Sequence, residues 1–155
     1  QALAAGAPSS SVVFDCPVKP RIELEQAIDK QIPLNADNFQ ELAVITELIN
    51  ERQKGDESKF QPASIGMRVN PGVGAGSLAA FSTATLTSKF GVGLKDEESR
   101  AALVAAYQQH AWLDAIHCHV GSQGVDIALA IDGIRATVDF ALDINRRVGR
   151  RQIRL

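Results

Sequence analysis

The 155 residues carry a formal net charge of −2, with 45% hydrophobic and 22% charged residues, which describes one globular unit long enough to bury a real core. Disorder, collagen and coiled coil are excluded by that composition, and a near-neutral balance gives no electrostatic reason to expect nucleic acid. No run approaches the roughly 18 apolar residues of a membrane span, and no basic segment followed by an apolar core marks a signal peptide at the start.

The elements alternate along the chain. Val12 to Phe14 is a short β-branched and aromatic run closed by Asp15, Cys16 and Pro17, and the charged amphipathic stretch from Arg21 to Lys30 follows it. A second strand is predicted over Ile32 to Ala36. Asp37 and Asn38 then supply N-cap chemistry to a helix from Phe39 to Arg52, where Leu42, Ile45, Leu48 and Ile49 recur at helical spacing. Lys54 to Pro62 reads as a surface loop, and Ser64 to Asn70 as a third strand ended by Pro71 and Gly72. Gly72 to Thr87 is a long run rich in Gly, Ser, Thr and Ala, of a length that is usually functional. Asp96 caps a helix running to His110, Leu113 to Val120 forms a fourth strand, and Asp126 to Val148 a long helix. Gln152 to Leu155 looks like a fifth strand beginning. The arginines at 146, 147, 150, 151 and 154 fit a helix C-terminus leading into that strand.

Strands and helices alternating in units of about 30 residues predict βαβ units and a parallel sheet, hence an α/β fold. No GxGxxG follows any strand, so a dinucleotide-binding reading has no fingerprint. Cys16 and Cys118 are too few for a disulfide framework and sit in no metal-binding spacing, which favours a reducing compartment. Cys118 lies between His117 and His119, but strand alternation sends the histidines to one face and the cysteine to the other, so the three cannot converge on one ion.

In a parallel α/β barrel the functional groups collect at the C-terminal strand ends, which directs attention to Asp15 to Lys19, Asn35 to Asn38, Arg68 to Gly72 and His117 to Gln123. The last of these is the most informative: two histidines, then a Gly-Ser turn whose free amides suit an anion. Local chemistry alone fits two partly buried histidines and an ordinary turn equally well.

Five segments resemble the diaminopimelate and ornithine decarboxylases in the same order: VVFDCPVKP, LNADNFQEL, MRVNPGV and AIHCHVGSQ their barrel strands, and STATLTSKFGV the Ser/Thr loop and Ser-Lys-Phe-Gly segment before the last of these. The resemblance implies an incomplete (β/α)8 TIM-type barrel of the alanine racemase-like kind, spanning about strands 3 to 6 and the start of strand 7. It also implies pyridoxal 5'-phosphate as cofactor and decarboxylation of a basic amino acid as the parent activity, within lysine biosynthesis if the substrate is diaminopimelate. Carried over by position, His119 stacks on the cofactor ring, Gly121 and Ser122 lie near its phosphate, Arg68 points to the ring from its strand end, and Lys89 approaches the substrate or a dimer interface. Arg68 fits equally a pairing with a barrel carboxylate, and Asp37 an N-cap.

Departures from the family set the remaining expectations. The Schiff-base lysine of the family's first strand has no counterpart, nor has the glycine-rich phosphate motif after its seventh strand, nor the later β-domain. The expectation is therefore an internal piece of the cofactor-binding barrel, complete in no catalytic set and inactive alone, from a cytoplasmic or organellar homodimeric carboxy-lyase acting on an amino acid. A non-catalytic relative serving as a binding module, and an amino acid racemase-like barrel, stand as alternatives. Four or five strands of an open barrel leave unpaired edges, so either self-association or disordered ends at Gln1 to Ser11 and Gln152 to Leu155 are expected, with Val13, Leu34, Met67, Val69, Ile116 and Val120 as inward or helix-facing apolar positions.

Overall fold

A computed structural model of the chain describes residues 1–54, 60–73, 89–121 and 126–154. Its strands are β1 (Leu34–Ala36), β2 (Ile65–Asn70), β3 (Val92–Gly93) and β4 (Leu113–Cys118), and its α-helices α1 (Arg21–Asp29), α2 (Phe39–Gln53), α3 (Glu97–Gln109) and α4 (Ile127–Val148). All strand pairings are parallel. β2 is central, with Ile65 to Met67 beside β1 and Ile65 to Val69 beside β4. Val69 pairs with both Val92 and Cys118, so the short β3 continues the β1 side of the sheet. Phe14 adds one parallel bridge to Leu34. The Phe14 bridge, β1, β2 and β4 thus lie side by side in chain order, as in an arc of barrel, with β3 outside that order, and among the described residues the sheet does not close.

Alternation divides the sheet into two unlike faces. Leu34, Ala36, Ile65, Met67 and Val69 face the helices and are at most 2% exposed; Leu24 and Ile28 of α1, Ile45, Leu48 and Ile49 of α2, Leu103 and Tyr107 of α3, and Phe140 and Ile144 of α4 complete that core. Ile116 and Cys118 pack against it from β4. The opposite face carries Asn35, Gly66, Arg68, Ala115 and His117, which are polar or small. Gly66 is required there: a Cβ would run into Asn35 Oδ1 and come within 3.1 Å of the Ala115 backbone.

The helix ends follow their caps. Asn38, Asp96 and Asp126 accept from the amides of Glu41, Ser99 and Ala128 at 2.8 to 2.9 Å. α1 ends with Gln31 in the left-handed region (φ 54°) and the Ile32 amide reaching back to the Ala27 carbonyl at 2.8 Å, a Schellman closure with a non-glycine at its turn. Because Ile32 closes that helix and Pro33 has no amide to donate, the strand predicted from Ile32 begins only at Leu34.

Several other expectations are corrected. Val12 to Phe14 is no strand but the single Phe14 bridge, with the Phe14 amide donating to the Pro33 carbonyl and the Asn35 amide to Phe14. Val13 is neither inward nor helix-facing; one residue from the core-packed Phe14, alternation turns it away, 61% exposed. β4 stops at Cys118 rather than Val120. Gln152 to Arg154 forms no strand, yet Gln152 and Ile153 are buried: the Gln152 side-chain amide donates to the carbonyls of Tyr107, His110 and Leu113, each at 2.8 Å, and Asn145 holds the Gln152 and Ile153 amides. Most of the Gly72 to Thr87 run lies outside the described residues, as do part of the Lys54 to Pro62 loop and Leu155.

Candidate functional site

The polar face ends in a cluster at the C-terminal ends of β1, β2 and β4 and of the Phe14 bridge. β1 runs out into Asp37, β2 carries Arg68, β4 carries His117, and Asp15 follows Phe14. Arg68 Nη1 donates to Asp37 Oδ1 at 3.2 Å, and their side chains are only 9% and 6% exposed. The expected N-cap role of Asp37 is therefore corrected: Asn38 alone caps α2, because its side chain reaches the Glu41 amide while that of Asp37 turns to the guanidinium. The sequence offers the arginine a cofactor or a carboxylate as partner, and Asp37 is such a carboxylate.

Phe90 and Gly91 close over this arginine. Phe90 sets its ring centroid 5.2 Å from the guanidinium carbon, a cation–π distance. Gly91 has φ +71°, and a Cβ there would stand 3.2 Å from Arg68 Cγ, so glycine lets the chain lie flat on the arginine stem. Lys89 is exposed, with its Nζ 5.3 Å from the Phe90 ring rather than in the cluster.

His117 is paired in register with Arg68 on the neighbouring strand. Burial holds its proton affinity below the ordinary histidine range; Asp15 works against that, and Arg68 and His119 reinforce it. Its Nδ1 lies 3.5 Å from Asp15 Oδ2 and is buried without a hydrogen bond, so the contact is electrostatic in kind and the nitrogen is a spare polar atom inside the cluster. His119 follows the end of β4, half-buried and close enough for the two imidazoles to feel each other's charge, while Cys118 packs on the core side. Gly121 is described, following the buried Val120; Ser122 lies outside the described residues.

Sequence reasoning missed the link between Asp15 and His117, the Arg68 to Asp37 pair and the cover that Phe90 provides. The signal for the carboxylates was parity, since Asp37 stands two residues from Asn35 and Asp15 one from the core-facing Phe14. Among the described residues no group of three or more His, Cys, Asp or Glu is arranged to hold a metal ion, and no helix is long and apolar enough to cross a membrane.

Comparison with known proteins matches residues 1–150 to the pyridoxal binding domain of pyridoxal-dependent decarboxylases. The diaminopimelate decarboxylase of Bacillus methanolicus is 35% identical over 127 residues, covering 81% of this chain and 28% of that protein. That of Methanocaldococcus jannaschii is 28% identical over 139 residues, 88% of this chain and 30% of the relative. Among solved structures, diaminopimelate decarboxylase from Helicobacter pylori complexed with L-lysine superposes with a TM-score of 0.76 at 28% identity, over 94% of this chain and 35% of that one. The chain thus spans about a third or less of the length of these relatives.

Proposed function

The chain belongs to the pyridoxal-dependent decarboxylases, and on that premise we propose that it forms part of the cofactor-binding barrel of an enzyme that decarboxylates a basic amino acid, diaminopimelate first. The observation that carries this reading is the charged cluster on one face of a parallel sheet, at its C-terminal end, with Arg68 held by Asp37 and the buried Nδ1 of His117 unbonded. The relatives named above, all diaminopimelate decarboxylases, support the choice of substrate.

The donor set fits pyridoxal 5'-phosphate. His119 offers a flat ring for stacking, the Gly121 amide and the Ser122 hydroxyl suit a phosphate, and Arg68 offers a cation whose direction is fixed by Asp37 below and Phe90 above. Bound there, the cofactor supplies the sink for the electron pair left when carbon dioxide departs. The chain's own residues hold and orient: Asp37 fixes the direction of the Arg68 guanidinium, and His117, neutral at pH 7, is available to accept a hydrogen bond or to donate one. Lys89 belongs to this reading only as a group near the substrate entrance or a subunit contact of a homodimer.

The chain by itself does not turn over. Neither Lys19, buried against Glu41, nor Lys89, directed to Phe90, supplies the amine that covalent chemistry at a cofactor aldehyde needs. The same observation favours a second reading, a non-catalytic family member acting as a binding module. Incubation of the chain with cofactor and, in turn, diaminopimelate, ornithine, lysine and arginine should release no carbon dioxide; turnover abolished by His119→Ala would show a complete site and defeat the reading of inactivity. The protein from which such a segment comes, assayed in the same way, should prefer diaminopimelate. A preference for ornithine would overturn the substrate assignment, and no turnover with any of the four would favour the module.

A further inference from the structure

Asp15 and Asp37 reach the cluster from different connections, and one buried side chain ties both connections together. Glu41, in the first turn of α2, is 8% exposed. Its Oε2 accepts from Lys19 Nζ at 2.7 Å and from the Asp37 amide at 2.8 Å, and its Oε1 accepts from the Lys19 amide at 3.2 Å. The Lys19 side chain is fully buried; its ammonium also donates to the Cys16 carbonyl at 2.6 Å and lies 5.7 Å from the Phe14 ring. The segment from Phe14 to Lys19, with Asp15 inside it, is thereby folded back on a single carboxylate that also grips the backbone of Asp37.

A buried ion pair is a weak source of stability, because desolvation offsets much of its Coulombic attraction. Here its remaining hydrogen bonds end on backbone groups of the two segments that bear the site carboxylates, which is what positional control requires. We propose that Lys19 and Glu41 form a positioning node: Glu41 holds Asp15 against His117 and Asp37 against Arg68, and so sets the charge around the cluster. Its functional meaning rests on the proposed cofactor site, while its structural content rests on the geometry alone.

Two measurements on the isotopically labelled chain test the node. In the unaltered chain the amides of Lys19 and Asp37, which belong to no helix or strand, should exchange as slowly as those of β1; fast exchange of either overturns the proposal. The second is the NMR titration of His117 in Glu41→Gln and in the paired variant Lys19→Met with Glu41→Gln, which avoids leaving a lone buried charge. Asp15 and Asp37 raise the proton affinity of His117, whereas burial, Arg68 and His119 lower it. Release of the two carboxylates therefore moves the His117 midpoint further down, while a merely loosened fold would hydrate the ring and move it up towards the ordinary value. A downward shift in a folded variant is expected, and an unmoved or raised midpoint overturns the node. Binding of pyridoxine 5'-phosphate separates the two ideas: a downward shift without binding supports the node and sinks the cofactor reading, whereas binding with an unmoved midpoint sinks the node and keeps the cofactor reading.

Discussion

Arg68 and His117 are direct register partners on adjacent strands, and what keeps two groups of like potential charge side by side is that the arginine spends its charge on Asp37 while the histidine stays neutral. The pH dependence follows. His117 has a folded proton affinity below its unfolded value, burial being the first cause, so between the two midpoints the unfolded chain binds more protons and stability rises with pH. This contribution is fully present above about pH 6.5, the unfolded midpoint, and is lost as pH falls from there through the lower folded midpoint. Replacing His117 by Asn should flatten the slope of unfolding free energy against pH between about 7 and 5, measured by urea denaturation at a series of pH values. An unchanged slope would mean that His117 is not the buried neutral group described here. Of this cluster, Arg68 and the two histidines were legible from their strand-end positions. The Arg68 to Asp37 pair was not, because a carboxylate next to Asn38 satisfies the local N-cap pattern equally well, and only the parity of β1 decides between the two.

At the scale of elements, periodicity and caps located α1 to α4 to within a residue or two, since Asn38, Asp96 and Asp126 advertise their helices chemically. The edges were harder to read. A β-branched run such as Val12 to Phe14 carries strand propensity, but pairing is a property of the neighbour, and only Leu34 is offered to it. The tail shows the reverse case: Gln152 and Ile153 are held as firmly as a strand without being one. The two hydrogens of the Gln152 amide are shared among three carbonyls in and after the last turn of α3, so Gln152→Met, which keeps the volume and removes the donor, should cost about 1–3 kcal/mol. Denaturant midpoints with unchanged slopes would read that loss; a midpoint within error of the unaltered chain would show that water or the neighbouring backbone takes over those carbonyls.

At the scale of the whole molecule, the open sheet exposes no apolar interior among the described residues. Its free face is lined by Asn35, Arg68 and His117, and the large apolar side chains that the described residues leave in solvent are at Val13, Val18 and Ile22 and along α4 at Ile127, Ile131, Ile134 and Leu142. The α4 positions recur at helical spacing on the side opposite Phe140 and Ile144, a second apolar stripe on one helix. Such a stripe predicts self-association, and light scattering coupled to size exclusion should report a species larger than one chain. A monodisperse monomer with slow amide exchange at both ends of the chain would contradict that.

On the proposed function, the C-terminal end of this sheet holds a pyridoxal phosphate. Pyridoxine 5'-phosphate keeps the ring and the phosphate but lacks the aldehyde, so it cannot label surface lysines, and its titration into the isotopically labelled chain followed by amide chemical shifts reads the site directly. The account predicts saturable shifts concentrated at Arg68, His119 and Gly121, weakened at least several-fold by Arg68→Ala. Shifts confined to the arginines at the end of α4, or none that saturate, would contradict it.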